Sequence, residues 1–239
     1  GEIVDFKLSE EQILLKNSVD RFLADEYSLE KRRSLVASEE GFDRKNWKTF
    51  ANLGWLAVPF SETNGGLGGG PVEIMVLMEA FGRRLVVEPY LHVIVTAATL
   101  IEALGDEKLK TTILPNIIGG EKLAVLAHVE PQARYNLADI AAKATATSQG
   151  YKISGHKAVV FYGASADHYV VSARTSGNQK DEHGISLFLL DANLAGITKR
   201  PYPTVDGLKA AEIAMDEVEV SKSALIGGEG SAFTAIETV

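Results

Sequence analysis

The chain has 239 residues, 46% of them apolar and 23% charged, which is the profile of an ordinary globular protein with one large domain or two modest ones. Its formal net charge of −8 argues against nucleic acid as a partner, because phosphate binding needs a basic surface, and weakly against an anionic membrane. The absence of cysteine excludes disulfides, thiolate nucleophiles and cysteine-ligated metals.

Residues 91–104 form the most apolar stretch, which carries Glu102 and is shorter than the ~20 residues that span a bilayer. Gly1-Glu2-Ile3-Val4-Asp5 lacks the basic start and apolar run of a secretory signal. A cytoplasmic protein is the resulting expectation.

The first half reads as helices. Ser9 can cap a helix and Gln12 can close a capping box, with Leu15, Val19 and Phe22 following at helical spacing. A second helix starts at Asp43, carries Trp47, Phe50 and Leu53, and stops at Gly54. A third starts at Pro71 and runs to Gly82. Residues 90–104 make a fourth, and Asp106 caps a fifth that should stop before Pro115. Lys31-Arg32-Arg33 reads as a solvated helical face, and Trp47 and Trp55 as core.

After Gly119-Gly120 the pattern changes to short β-branched or alternating runs separated by Gly, Asn, Asp and Pro. Strands are expected at Glu121–His128, Ala141–Thr147, Tyr151–Ser154, Ala158–Phe161, Tyr169–Arg174, Ile185–Asp191, Ile197–Tyr202 and Glu212–Val220. No helices separate them, so an antiparallel barrel or sandwich is expected. A helical pattern resumes after Ile226-Gly227-Gly228-Glu229-Gly230-Ser231. The fold class is therefore α+β: an all-α domain over 1–120, an antiparallel β-barrel domain over 121–225, and the start of a C-terminal helical bundle over 226–239.

Residues 64–70 read NGGLGGG. A dinucleotide loop starting at Gly66 would need a third glycine where Pro71 stands, and a P-loop starting at Gly65 would need a lysine there. Both phosphate readings fail, leaving a tight turn that delivers the chain to the helix at Pro71. The histidines at 92, 128, 156, 168 and 183 have no metal-ligand spacing. No serine sits in a Gly-x-Ser-x-Gly setting, which argues against a serine hydrolase.

Several pieces, in their order and spacing, resemble the acyl-CoA dehydrogenase family. They are Leu53-Gly54-Trp55-Leu56-Ala57-Val58-Pro59 with Asn64-Gly65-Gly66-Leu67-Gly68, Gly105-Asp106-Glu107-Lys108-Leu109-Lys110, Gly119-Gly120-Glu121, Glu130-Pro131, Gly155-His156-Lys157, Gly184-Ile185-Ser186-Leu187-Phe188 and Leu225-Ile226-Gly227-Gly228-Glu229-Gly230. The resemblance covers essentially the whole chain. It implies a flavoenzyme that oxidises an acyl-CoA thioester to the 2,3-enoyl form, with FAD taking the hydride and an electron-transfer flavoprotein as electron acceptor. It also implies a homo- or hetero-oligomer.

By the same resemblance, two strands face the flavin. The first brings Leu126, His128 and Val129, and the second Val159, Val160 and Phe161. Arg134 and Tyr135 fall where substrate would be contacted. The family pattern has a threonine at the position of Val129, an aromatic at Val159 and a hydroxyl donor at Phe161, so three flavin-facing side chains differ here. The family's glutamate base is expected beyond Val239, so no catalytic residue is assigned within this chain. A competent dehydrogenase and a non-catalytic or half-site subunit of a hetero-oligomer both accommodate these departures. A ligand-binding barrel without redox chemistry is a further rival.

Overall fold

The computed structural model describes residues 7–239; the expected absence of a secretory signal at residues 1–5 lies outside the described residues. Helices lead, and a mostly antiparallel eight-stranded sheet follows. The helices are α1 (Glu10–Glu26), α2 (Leu29–Ala37), α3 (Arg44–Asn52), α4 (Pro71–Arg84), α5 (Thr99–Leu104), α6 (Glu107–Ile118) and α7 (Phe233–Thr238). The strands are β1 (Ala124–Ala127), β2 (Lys143–Ala146), β3 (Gly150–Phe161), β4 (His168–Arg174), β5 (Ile185–Asp191), β6 (Ile197–Pro203), β7 (Lys209–Ser221) and β8 (Leu225–Ile226). The sheet order is β6-β7-β3-β2-β4-β5-β8, with β1 running parallel to β4.

Local chemistry explains most helix ends. The Ser9 hydroxyl accepts from Gln12 N, and the Gln12 side chain accepts from Ser9 N, closing the capping box on α1. The Gln12 amide also donates to Glu73, which itself accepts from Gly70 N. The α1 cap and the α4 start are thereby tied together. Asp43 and Asp106 cap α3 and α6 through Lys45 N and Leu109 N. Trp47, Phe50, Trp55, Phe81 and Tyr90 pack as one aromatic cluster inside the helical layer. The buried core runs on without a break into the sheet, through Leu123, Tyr169 and Phe188.

Three expectations are corrected. Helix α6 passes through Pro115 and ends at Ile118. Proline removes one N–H from the ladder, but Thr111, which would have accepted it, is exposed, so water can satisfy that carbonyl. The expected strands Tyr151–Ser154 and Ala158–Phe161 are one twelve-residue strand, β3, whose pairing with β7 shifts register between Ile153 and Gly155 and again between Lys157 and Val160. Bulges, not a turn, interrupt it. The basic run on α2 is not simply solvated, because Arg32 donates to the carbonyls of Leu85 and Asp206 and so holds the helical layer to the sheet's β6–β7 turn. Tyr162 reinforces the same junction through the Val87 carbonyl.

The chain over 91–104 is helical as expected, but its first half, Leu91–Ala98, is π-helical. Thr96 donates to the His92 carbonyl and Thr99 to the Ile94 carbonyl, so side-chain hydroxyls engage backbone acceptors there.

The glycine run is a packed turn. Gly66, Leu67, Gly68 and Gly69 donate their backbone N–H groups to the carbonyls of Ser61, Ala57, Phe60 and Val58. Those N–H groups are the ones a phosphate would need. A Cβ on Gly66 would stand 2.0 Å from the Phe60 oxygen. Gly66→Ala is therefore expected to lower stability by about 1–3 kcal/mol in urea denaturation. Gly82→Ala, on the exposed side of α4 where a Cβ meets nothing within 4 Å, is expected to raise stability by about 0.5–1 kcal/mol. Equal effects of the two substitutions would contradict the packed-turn account.

Candidate functional site

A cavity of about 750 Å³ opens where the end of β1, the far end of β3, the π-helical segment and α7 meet. Val125, Leu126, His128 and Val129 come from β1 and the residues just after it. Val159 and Phe161 come from β3, and His92 and Thr96 from the π-helical segment. The turn after β1 contributes Arg134, Tyr135 and Leu137, and Ile236 and Val239 close the α7 side.

Backbone strain aims two of these residues. Val159 has φ +50°, an unusual conformation for a β-branched residue, at the register shift in which Ala158 and Val159 lie opposite Glu212 alone. Its N–H donates to the Tyr202 hydroxyl at 3.0 Å, and Ala158 N donates to the Val129 carbonyl at 2.8 Å. These bonds hold Val159 beside Val129, and both side chains are partly exposed at the mouth. Arg134 has φ +51° in the turn. Tyr135 is 98% exposed, so it belongs to the rim and not the wall.

Beneath the wall lies a buried polar network. Lys157 is wholly buried and Glu130 nearly so. Lys157 Nζ donates to Glu130 Oε1 at 2.6 Å, to Ser172 Oγ at 3.0 Å and to the His128 carbonyl at 3.3 Å. Glu130 also accepts from Ala141 N, Ala142 N and the Gln132 amide. The parallel ladder explains why His128 meets Ser172. It pairs Ala124 with His168 through to Ala127 with Val171, and one further step sets His128 against Ser172. Their Nδ1 and Oγ atoms are 2.9 Å apart.

Burial and charge set the protonation of this region. Burial lowers the Lys157 ammonium to about 8, with Glu130 opposing the drop. Burial pushes the Glu130 carboxyl up, but Lys157 and the hydrogen bonds outweigh it and hold the group below its usual range. Burial lowers His128 to about 4, and the Lys157 charge adds to this. Burial also lowers His92 to about 4, against the pull of Asp206. Both imidazoles are therefore neutral at pH 7. The His92 ring stacks on Phe161 with centroids 4.5 Å apart and planes 17° apart.

Of the eight residues expected at the site, seven line this cavity: Leu126, His128, Val129, Arg134, Tyr135, Val159 and Phe161. Val160 does not. Strand alternation turns it away from Val159 and Phe161 and into the core, where it is 2% exposed. His92, Thr96, Val125 and Leu137 were not expected there. Only the helical period could be read around His92, and nothing local signals that it stacks on a ring 69 residues later.

Two family models divide the chain between them. The first, "Acyl-CoA dehydrogenase, N-terminal domain", matches residues 9–121, and the second, "Acyl-CoA dehydrogenase, middle domain", matches residues 126–221. The chain belongs to the acyl-CoA dehydrogenase family. An acyl-CoA dehydrogenase of Bacillus subtilis (strain 168) is 25% identical over 234 residues, covering 95% of this chain and 60% of the relative. An acyl-CoA dehydrogenase from Geobacillus kaustophilus superposes with a TM-score of 0.88 at 25% identity, covering 98% of this chain and 63% of that one. The ChsE4–ChsE5 complex from Mycobacterium tuberculosis gives a TM-score of 0.84 at 25% identity, covering 94% of this chain and 59% of that one. The chain thus spans about three-fifths of the length of these relatives.

An acyl-CoA dehydrogenase needs room for a flavin ring, which is flat, apolar at one end and hydrogen-bonding along the other edge. The cavity fits that chemistry. Its volume lies in the usual ligand range of ~300–1,000 Å³, and Val125, Leu126, Val129, Val159 and Phe161 supply an apolar wall. Val129 and Phe161 supply no hydroxyl on that wall, and the His128 ring, buried beneath it, is held by Ser172. Among the described residues no cluster of three or more His, Asp or Glu could hold a metal ion, and no helix is long and apolar enough to cross a membrane.

Proposed function

We propose that this chain forms the helical and β-sheet part of an FAD-dependent acyl-CoA dehydrogenase that oxidises an acyl-CoA thioester to its 2,3-enoyl form in the cytoplasm. Electrons would pass to an electron-transfer flavoprotein. The observation that carries the reading is the convergence of Leu126, His128, Val129, Val159 and Phe161, from two strands far apart in sequence, on one largely apolar cavity. Bound FAD would supply the hydride acceptor. This chain's residues would seat the ring between β1 and β3, keep water from its apolar end, and place Arg134 and Tyr135 at the rim toward the acyl-CoA. None of the lining side chains is a carboxylate. No residue lining the cavity is therefore assigned the removal of the α-proton.

One observation favours a second reading, in which the chain is a half-site subunit of a hetero-oligomer. The positions where the family offers hydroxyls to the flavin are Val129 and Phe161, and a buried acceptor left unpaired costs about 1–3 kcal/mol. Similarity to the ChsE4–ChsE5 complex is consistent with such pairing.

A visible absorption spectrum of the purified protein, recorded during titration with FAD, separates the readings. A bound-flavin spectrum that bleaches on adding an acyl-CoA is the expected result for the first. Flavin bound only after a homologous chain is added supports the second. No flavin under either condition would sink both and leave a ligand-binding barrel.

A further inference from the structure

Tyr202 is not one of the residues lining the cavity, yet its hydroxyl is the group to which Val159 donates. It stands two strands away on β6, and the strand pairing shows how it reaches. Tyr202 lies opposite Ala210 on β7, and Ala210 lies opposite Phe161 on β3. Directly opposed residues share a face of the sheet. Tyr202, Ala210 and Phe161 therefore form one row, on the face that Phe161 turns to the cavity. The middle of that row is only a methyl group, 1% exposed. A longer side chain at 210 would stand between the phenol and β3.

The conformation of Val159 requires support. Its φ of +50° is sterically costly for a β-branched residue. Such a conformation persists only where the surroundings over-determine it. Two bonds clamp the bulge from opposite sides. Ala158 N donates to the Val129 carbonyl at 2.8 Å on the β1 side, and Val159 N donates to the Tyr202 hydroxyl at 3.0 Å on the β6 side. The first joins backbone to backbone, so its groups are present whatever the side chains. The second depends on a hydroxyl at position 202. Bulges beside binding sites re-aim a side chain. The side chain aimed here is Val159, 42% exposed beside Val129 at the mouth of the cavity.

We propose that Tyr202 is a positioning residue for the cavity: by capturing the Val159 N–H it locks the β3 bulge and fixes Val159 as part of the apolar wall against which a flat ligand rests. That this ligand is a flavin rests on the functional reading above; the clamp does not. Without the hydroxyl, Val159 relaxes toward the extended region it prefers, and the wall loses its fixed edge at the mouth.

The test has two arms on the full chain. The first is amide hydrogen exchange without ligand, read residue by residue by NMR. The Val159 amide is expected to be protected in the wild type. Tyr202→Phe, which keeps the ring, is expected to speed its exchange roughly tenfold, with a smaller change at Ala158. A Val159 amide that is unprotected in the wild type overturns the clamp, and this result needs no variant to fold. Equal protection in Tyr202→Phe overturns it as well. The second arm is FAD titration, followed by flavin absorbance, in a double-mutant cycle of Tyr202→Phe and Val159→Gly. Glycine takes φ +50° without strain and has no side chain to aim. Tyr202→Phe is expected to weaken FAD roughly three- to tenfold with Val159 present and to change nothing in the Val159→Gly background. The same loss in both backgrounds would mean that the hydroxyl acts on the ligand directly. No loss in either would mean that the placement of Val159 is irrelevant to the ligand. Each of these overturns the positioning role. Wild-type protein that takes no FAD overturns the functional reading and the flavin clause together, while the exchange arm still decides the clamp.

Discussion

Lys157→Ala is expected to destabilise the protein by about 3–5 kcal/mol. The reason is the carboxylate left behind. Glu130 is 2% exposed, and its two oxygens accept from Ala141 N and Ala142 N as well as from Lys157. Without the ammonium it must remain a buried, unpaired anion, or protonate and weaken its hold on two backbone amides. Both are costly in a medium of low dielectric. Lys157→Met separates charge from volume. If loss of packing were the cause, methionine would restore most of the stability; if the unpaired carboxylate is the cause, methionine should be nearly as damaging as alanine. Urea midpoints at pH 7 decide between them, and a near-native methionine variant would refute the electrostatic account. Ser172→Ala, which removes one neutral partner from the same network, is expected to cost about 1 kcal/mol.

Acid should destabilise the fold through the two cavity histidines. Their ordinary value is about 6.5, and both are lowered to about 4, chiefly by burial. Between these values the unfolded chain binds protons that the folded chain does not. The stabilising contribution is therefore complete above about pH 6.5 and is lost as pH falls toward 4. The loss at pH 4.5 should be roughly 2–3 kcal/mol per histidine. The neighbours shape but do not reverse this: Asp206 opposes the shift of His92, while Lys157 deepens and Glu130 opposes that of His128. Carboxylates held low, such as Glu130 and Asp167, act in the same direction, so wild-type data alone do not isolate the histidines. Comparing pH 7.5 with pH 4.5, His92→Gln and His128→Gln should each reduce the stability difference by that amount. Differences identical to wild type would mean that these rings are protonated in the folded state.

The segments that form the cavity wall were implied by the family resemblance, whereas the amino-acid sequence by itself determined the order of elements and the helix caps at Ser9, Asp43 and Asp106. These are local properties. A cap is set within three residues, and a strand's two faces by alternation along a few. The same locality explains its misreadings. Pro115 was read as a stop because its lost hydrogen bond is local, but whether water can reach Thr111 depends on how α6 packs. The bulge at Ala158–Val159 and the inward turn of Val160 depend on what β7 offers opposite. Glu130 and Lys157 were legible only as separate motif fragments, and the ion pair between them joins residues 27 positions apart. The meetings of His128 with Ser172 and of His92 with Phe161 exist only once β1 lies along β4 and the π-helical segment packs on β1, which brings His92 to the Phe161 end of β3. Burial, which neutralises both histidines and forces Lys157 onto Glu130, is a property of the packed molecule. The tertiary structure alone therefore decided the charge state of the site.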